Sequence, residues 1–338
     1  MTKKIHFAIV GCGTITNKHI KSIKNTKGAK LIAIYSSKEE KATNFGKEYN
    51  VKAYTDYEEM LENDSIDAVV ILTPSGLHAS FGITAAEAGK HVIVEKPIDT
   101  TVEKAEALIQ ACKKANVKLS CIFQHRFDEA IIHLKKAVDE KQLGELNFGA
   151  SRTTWYRPEE YYERAAWRGT WELDGGGALM NQSIHYIDLL LYIMGPVEEV
   201  HAYCKTRLHE QIEVEDIGVA TLKFTSGAVG MIEGNTTAYP GFDATLDVFG
   251  KDGSVRIATD RITDWHIKDD AAPAPSQEQT LTKEAQSIQS FTRQYTDIVE
   301  SIIDNREPLV NGEEATKALR LIMAIYKSAR TGQPVKVD

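Results

Sequence analysis

The first sixteen residues constrain the fold more than any other part of the chain. Residues 5–10, I-H-F-A-I-V, form a short apolar run that stops at Gly11, and residues 15–23 then show helical spacing of apolar side chains. A strand that enters a G11-C-G13 turn and leaves as a helix aims backbone N–H groups at a pyrophosphate. Gly11 permits the tight turn, and Gly13 lets the phosphates approach the backbone. Gly11, Gly13, Thr14 and Ile15 are therefore expected to bind a dinucleotide. Thr16 stands where the fingerprint has its third glycine, a bulkier helix–sheet contact. By itself the pattern also fits a Rossmann-like turn that binds nothing.

The rest of the first third decides for a nucleotide-binding sheet. Apolar strands at residues 30–35, 68–72, 91–94 and 118–123 alternate with helical patterns at 38–49, 78–88 and 102–115. Unbroken apolar strands separated by helices indicate a parallel sheet covered on both faces. Beyond Phe123 the period changes. A helix at 127–141 precedes strand-like stretches at 147–155, 197–206, 218–224, 228–237 and 244–250, with a helix at 177–194 among them. Short turns such as T-S-G and K-D-G imply a largely antiparallel sheet. A Pro-containing surface loop is expected at 269–276, then helices at 287–305 and 313–329. The fold class is thus α/β: a doubly wound Rossmann domain over residues 1–123, then an α+β substrate-binding and oligomerisation domain over 124–338.

With 338 residues the chain exceeds one ordinary core and suits two. A formal charge of -8 argues against nucleic acid or an anionic membrane as a partner, since both need a basic face. Cys12, Cys112, Cys121 and Cys204 lack metal-ligand spacing and are expected as free thiols in a reducing cytoplasm. No apolar stretch approaches the roughly 18 residues of a membrane span, and the N-terminus carries no signal-peptide pattern.

An NAD site places an acid at the end of the second strand, on the adenosine ribose. Here that strand ends Y35-S-S-K38. Ser36, Ser37 and Lys38 suit a 2′-phosphate, and Lys38 equally suits a solvated helix start, so the cofactor is NAD or NADP. At the next ligand-facing strand end, T73-P-S-G-L-H78, a Pro/Gly turn forms a nicotinamide-side loop containing Thr73, Pro74 and His78. For His78, cofactor contact and a solvent-facing helix start remain equal alternatives.

V94-E-K-P-I98 puts two charges directly after a buried strand, at the carboxyl end of the sheet where such folds bind ligands. Lys96 there suits proton exchange with a reacting hydroxyl beside the nicotinamide, with Glu95 holding it and Pro97 imposing a cis bond. The alternative is an exposed ion pair. In the second half, G175-G-G-A-L-M-N-Q-S-I-H-Y-I-D188 spaces Asn181, His185 and Asp188 by four and three, which places them on one helix face. His185 suits a general acid/base or a hydroxyl-orienting group, with Asp188 fixing its tautomer. No ligand cluster points to a metal.

Together A-I-V-G-C-G, T-P-S-G-L-H, E-K-P, H125-R-F127 and the 175–188 segment resemble the Gfo/Idh/MocA family of glucose-fructose oxidoreductase and inositol dehydrogenase, over nearly the whole chain. The resemblance implies that Lys96 lies beside the nicotinamide and the reacting hydroxyl. Many members carry aspartate where this chain has Asn181; a neutral amide orients a hydroxyl but cannot act as base, so the proton falls to Lys96 with His185 assisting. Within the family, N181-Q-S-I-H-Y-I-D-L-L with W167-R-G-T-W-E-L-D-G-G-G and I212-E-V-E-D-I-G218 resembles the UDP-N-acetyl-2-amino-2-deoxyglucuronate 3-dehydrogenases. That implies oxidation of a sugar 3-hydroxyl. Arg126, Arg157 and Arg168, with Asn181 and His185, then form the expected substrate set. Arg152 also suits a carboxylate or diphosphate, and Trp155, Tyr156, Tyr161 and Tyr162 suit stacking. The alternatives are the same chemistry on a free polyol or sugar, and a catalytically silent nucleotide-binding sensor. The resemblance implies a homodimer or homotetramer.

Overall fold

In the computed structural model, residues 4–270, 274–275 and 282–337 are described. Half of the loop expected at 269–276 lies outside them. The chain divides into two units, residues 1–124 with 281–316, and residues 125–280 with 317–338.

In the first unit, β1 (Ile5–Val10), α1 (Thr16–Asn25), β2 (Ala29–Tyr35), α2 (Glu39–Tyr49), β3 (Lys52–Tyr54), α3 (Tyr57–Leu61), β4 (Ala68–Ile71), α4 (His78–Glu87), β5 (His91–Val94), α5 (Val102–Ala115) and β6 (Leu119–Cys121) follow one another. The six strands form one parallel sheet in the order β3-β2-β1-β4-β5-β6. The order reverses between β1 and β4, so their carboxyl ends open the crevice where ligands of this fold bind. Every residue of β4 is buried, as a central strand covered on both faces requires. The short β3 and α3 escape sequence reading because K-A-Y and Y-E-E-M-L are too brief to show a period.

The second unit begins with α6 (Glu129–Asp139) and β7 (Leu146–Thr154), then α7 (Glu159–Glu163), a π-helical turn over Ala178–Ser183 and α8 (Ile184–Met194). Next come β8 (Val197–Lys205), β9 (Ile217–Phe224), β10 (Val229–Asn235), β11 (Thr245–Gly250), β12 (Gly253–Ala258) and β13 (Arg261–Ile267). With the terminal β14 (Val335–Lys336) they form an eight-stranded sheet, β13-β12-β11-β7-β10-β9-β8-β14. Only β7 and β10 pair in parallel. Buried and exposed residues alternate along β9, the mark of a sheet with one face on the core and one toward solvent.

α9 (Lys283–Ile303) belongs to the first unit, although a single cut at residue 123 assigns it to the second. Its buried Phe291, Tyr295, Ile298 and Val299 join the core of β1, β2 and α1. Tyr295 meets Phe7 edge-on with ring centres 5.8 Å apart. Each such side chain contributes about 1.5–3 kcal/mol on burial, so packing, not chain order, assigns the helix. In α10 (Gly312–Thr331) the division between the units falls after Thr316.

Candidate active site

The turn after β1 is built around Gly11. Its φ of +109° and the Leu72 carbonyl oxygen, 2.8 Å from where a Cβ would lie, both demand glycine. Gly13 differs, because a Cβ there meets nothing within 4 Å. The fold itself does not require glycine at 13, and the backbone there is open enough for a phosphate to approach. Thr16, buried, donates its hydroxyl to Gly11 O at 3.0 Å and accepts Gly13 N–H at 2.9 Å. It therefore ties the turn together and is more than a bulky substitute for glycine. α1 starts after Ile15, which gives no side-chain cap, leaving the helix N-terminus to a phosphate. At the end of β2, Ser37 and Lys38 are exposed, while Ser36 is buried and its Oγ accepts the Lys38 N–H at 3.2 Å.

The loops after β4 and β5 brace each other. His78, expected either at the cofactor or facing solvent, does not face solvent: it is 1% exposed, with Nδ1 2.8 Å from Pro97 O and Nε2 3.0 Å from Thr73 O. Both ring nitrogens face backbone carbonyls, so the histidine positions the two loops. Asp99, fully buried, accepts the Ala79 N–H at 2.8 Å at the start of α4. Thr73 Oγ1 is buried with no hydrogen-bond partner among the described residues. An orphaned hydroxyl in the nicotinamide-side loop fits a bound amide. The Lys96–Pro97 bond is cis.

Among residues 92–100 only Glu95 and Lys96 are partly exposed. Glu95 Oε2 accepts the Lys96 N–H at 3.0 Å, and Oε1 lies 3.0 Å from Nε2 of the buried His19 on α1. His19 Nδ1 is in turn 2.7 Å from the Tyr295 hydroxyl. Burial pushes the Glu95 carboxyl up, but the His19 hydrogen bond, then its charge and that of Lys96, outweigh this and hold it below the usual range. His19 and Tyr295 were not among the expected site residues. Tyr295 lies 276 positions from His19, and no local pattern announces such a contact.

In the second unit the triple glycine admits a buried carboxylate. A Cβ on Gly177 would lie 1.8 Å from the Glu215 carbonyl oxygen. Glu215 accepts the N–H groups of Gly177 and Leu179 at 3.1 and 2.8 Å and the Tyr326 hydroxyl at 3.0 Å. Burial still pushes its carboxyl up to about 7. A π-helical turn follows, with Asn181 inside it, and His185 and Asp188 lie in the regular helix after it. Asn181 donates Nδ2–H to Asp174 Oδ1 at 2.5 Å, while its Oδ1 accepts Gln182 Nε2–H at 2.8 Å. His185 meets the His125 ring edge-on at 5.0 Å, and His125 Nδ1 is 2.5 Å from Asp128. Asp188, expected beside His185, is gripped on both oxygens by Arg126 at 2.7 and 2.8 Å. Within residues 174–190 only Asn181 and His185 are partly exposed.

Arg126, expected at the substrate, is held within the second unit. It is 3% exposed, paired to Asp188 and stacked on Tyr192 at 4.5 Å. Arg152 is likewise committed, its Nη1 3.0 Å from Asp247 across the sheet. Arg157 and Arg168 do gather with the aromatics. Arg157 lies over Trp155 and Tyr161 at 5.0 and 5.2 Å, Arg168 over Tyr161 and Trp167 at 4.3 and 5.6 Å. Arg157 donates twice to Gln182 Oε1, and Arg168 Nε is buried with no partner among the described residues. Tyr162 is buried in the packing against His209, and Tyr156 pairs with exposed Tyr239.

Residues 5–123 match the oxidoreductase family model for an NAD-binding Rossmann fold, and residues 135–337 match its C-terminal alpha/beta domain. The chain belongs to the Gfo/Idh/MocA family. As a Gfo/Idh/MocA protein it is an NAD(P)-dependent oxidoreductase, and its first unit is the NAD-binding domain. The WlbA dehydrogenase of Bordetella pertussis, solved with NADH and UDP-GlcNAcA, is 35% identical with a TM-score of 0.90, over 99% of each chain. The WlbA dehydrogenase of Chromobacterium violaceum, with the same two ligands, is 34% identical with a TM-score of 0.89, over 100% of this chain and 97% of that one. A myo-inositol 2-dehydrogenase of Thermotoga maritima is 29% identical over 99% of both chains.

Among the described residues no helix is long and apolar enough to cross a membrane.

Proposed function

We propose that this oxidoreductase oxidises the 3-hydroxyl of a UDP-linked sugar acid. The observation that carries the proposal is the pair Arg157 and Arg168, gathered around Tyr161 with Trp155 and Trp167 and joined through Gln182 to Asn181. Guanidinium groups on aromatic faces suit a carboxylate or diphosphate beside a stacking ring. The two similar dehydrogenases that hold UDP-GlcNAcA support the same substrate class.

When bound, NAD(P)+ accepts the hydride. The chain supplies the rest. Gly11, Gly13, Thr14 and Ile15 hold the pyrophosphate on α1, Ser37 and Lys38 meet the adenosine ribose, and Thr73 and Pro74 flank the nicotinamide. Lys96 takes the hydroxyl proton as the hydride leaves. Asn181 and His185 orient the sugar, the amide of Asn181 doing so without competing for the proton.

The exposed face of the large sheet, with Tyr203, Val219 and Val229 at 66%, 39% and 55% exposure, is the contact through which we propose homo-oligomers form, in the cytoplasm. A sedimentation run that gives a monomer contradicts this.

The test is a turnover screen with NAD+ and NADP+ against UDP-GlcNAcA, free GlcNAc and myo-inositol. Cofactor reduction with the UDP-sugar acid at a kcat/KM at least about a hundredfold above the others is expected. Preferential turnover of myo-inositol supports the polyol alternative and overturns the proposal.

A further inference from the structure

We infer that His19 and Tyr295 are positioning residues for Lys96: through Glu95 they tie the lysine's segment to α1, the helix whose N-terminus faces the cofactor turn. This rests on the role given to Lys96 above.

The hydrogen roles in this chain of groups follow from chemistry. A carboxylate only accepts, so His19 Nε2 carries a proton toward Glu95 at 3.0 Å. Nδ1, on the far side of the ring, lies 2.7 Å from the Tyr295 hydroxyl. His19 and Tyr295 are both 0% exposed, and His19 packs edge-on against Phe291 at 5.0 Å. Its ring orientation is thereby fixed from both sides. The other Glu95 oxygen receives the Lys96 N–H. One carboxylate thus links the backbone of the reacting lysine to the first helix, and the lysine and the dinucleotide are referred to the same rigid element.

The groups that face Glu95 are His19 from α1, Tyr295 from α9, Lys96 beside it, His78 from α4 and the Cys121 thiol, which reaches the Glu95 carbonyl at 3.8 Å. Of these, His19 and Lys96 keep the carboxyl ionised. Removing the His19 donor leaves burial unopposed on that side and raises the Glu95 pKa. A carboxyl with less negative charge holds the neighbouring ammonium less firmly, which is the direction the acid limb of kcat would report.

The experiment follows kcat against pH for wild type, His19→Leu, His19→Gln, Tyr295→Phe and Lys96→Met, with UDP-GlcNAcA and NAD+, alongside the Kd for NADH. His19→Leu is expected to move the acid limb of kcat down by about one pH unit and to slow turnover about tenfold. The NADH Kd is expected to stay within about twofold, which separates positioning from a cofactor-binding defect. His19→Gln, which keeps an amide donor at the Nε2 position, should restore the limb. Tyr295→Phe, which keeps the ring and removes the hydroxyl, should show a smaller effect than His19→Leu. If His19→Leu does not fold, His19→Asn takes its place, because its shorter amide cannot reach Glu95. An acid limb unchanged in the folded variant, or equal defects in His19→Leu and His19→Gln, overturns the inference. If Lys96→Met itself keeps the rate and the limb, the role of Lys96 has failed instead.

Discussion

Asp174 accepts the Asn181 amide at 2.5 Å and thereby fixes which way that side chain points. Its other oxygen takes the Gly169 N–H at 2.9 Å. At the opposite end Arg157 can only donate, so the two amides between them, Asn181 and Gln182, have their orientations set by chemistry from both ends. A buried carboxylate thus stands one hydrogen bond behind the amide. Asp174→Ala should lower kcat about ten- to a hundredfold, because the amide is then free to flip. It should also cost about 1–3 kcal/mol, since buried donors lose their acceptor. Steady-state kinetics with urea unfolding checks both; unchanged kcat in a folded variant contradicts it.

Gly11 and Gly13 should separate folding from binding. Gly11→Ala forces a side chain into left-handed backbone and against Leu72 O, and is expected to destabilise by more than about 1 kcal/mol. Gly13→Ala meets open space, so its stability should stay within about 0.5 kcal/mol of wild type. Its NADH affinity should fall at least about tenfold, because the methyl occupies the path of the phosphates. Calorimetric titration with NADH, beside thermal unfolding, tests the contrast. Equal affinity in Gly13→Ala would remove the turn from the cofactor site.

The Arg126–Asp188 pair is a structural clamp. Both side chains are nearly inaccessible, so deleting one leaves an uncompensated buried charge. Arg126→Met is expected to lose about 3–5 kcal/mol in urea unfolding, and Arg126→Met with Asp188→Leu to regain most of it. A single variant of near wild-type stability contradicts this.

His209 gives the second unit a pH dependence. Burial pushes its imidazole down, but the Asp216 hydrogen bond and the Arg157 carbonyl raise it above its ordinary value. Asp216, pushed up by burial, is held below its ordinary value by His209 and three backbone N–H groups. The raised histidine contributes stability that is complete below about pH 6.5 and is lost as pH rises through its folded pKa. The lowered aspartate contributes stability that is complete above its ordinary value of 3.8 and is lost as pH falls through its folded pKa. Thermal midpoints should therefore decline on the alkaline side, and His209→Asn should flatten that decline. Because His209 Nε2 holds the Arg157 carbonyl at 2.7 Å, the same variant should raise the KM for UDP-GlcNAcA. A decline that persists in His209→Asn contradicts the assignment.

Legibility from sequence followed the range of the signal. β1, β4 and β5 announced themselves as apolar runs, and G11-C-G13 and E95-K-P97 sit at strand ends where geometry leaves few roles. The two-unit, two-sheet architecture followed from the change of period near Phe123. What failed was non-local. A spacing of four and three put Asp188 with His185, but Asp188 is taken on both oxygens by Arg126 from outside that helix. Arginines at 126 and 168 look alike in sequence, and only Asp188, 62 positions away from Arg126, tells them apart. His19 reads as an ordinary residue of α1 until α9 delivers Tyr295 to it.

The central claim is hydride transfer from the sugar 3-carbon under the control of Lys96. It is tested most directly by single-turnover kinetics with UDP-GlcNAcA carrying deuterium at C3 and NAD+ as acceptor, using wild type and Lys96→Met. Wild type should give deuterated NADH with a primary isotope effect on the transient. Lys96→Met should still bind NADH and lose at least about a hundredfold in that step. Undeuterated NADH, or a Lys96→Met transient at the wild-type rate, would contradict it.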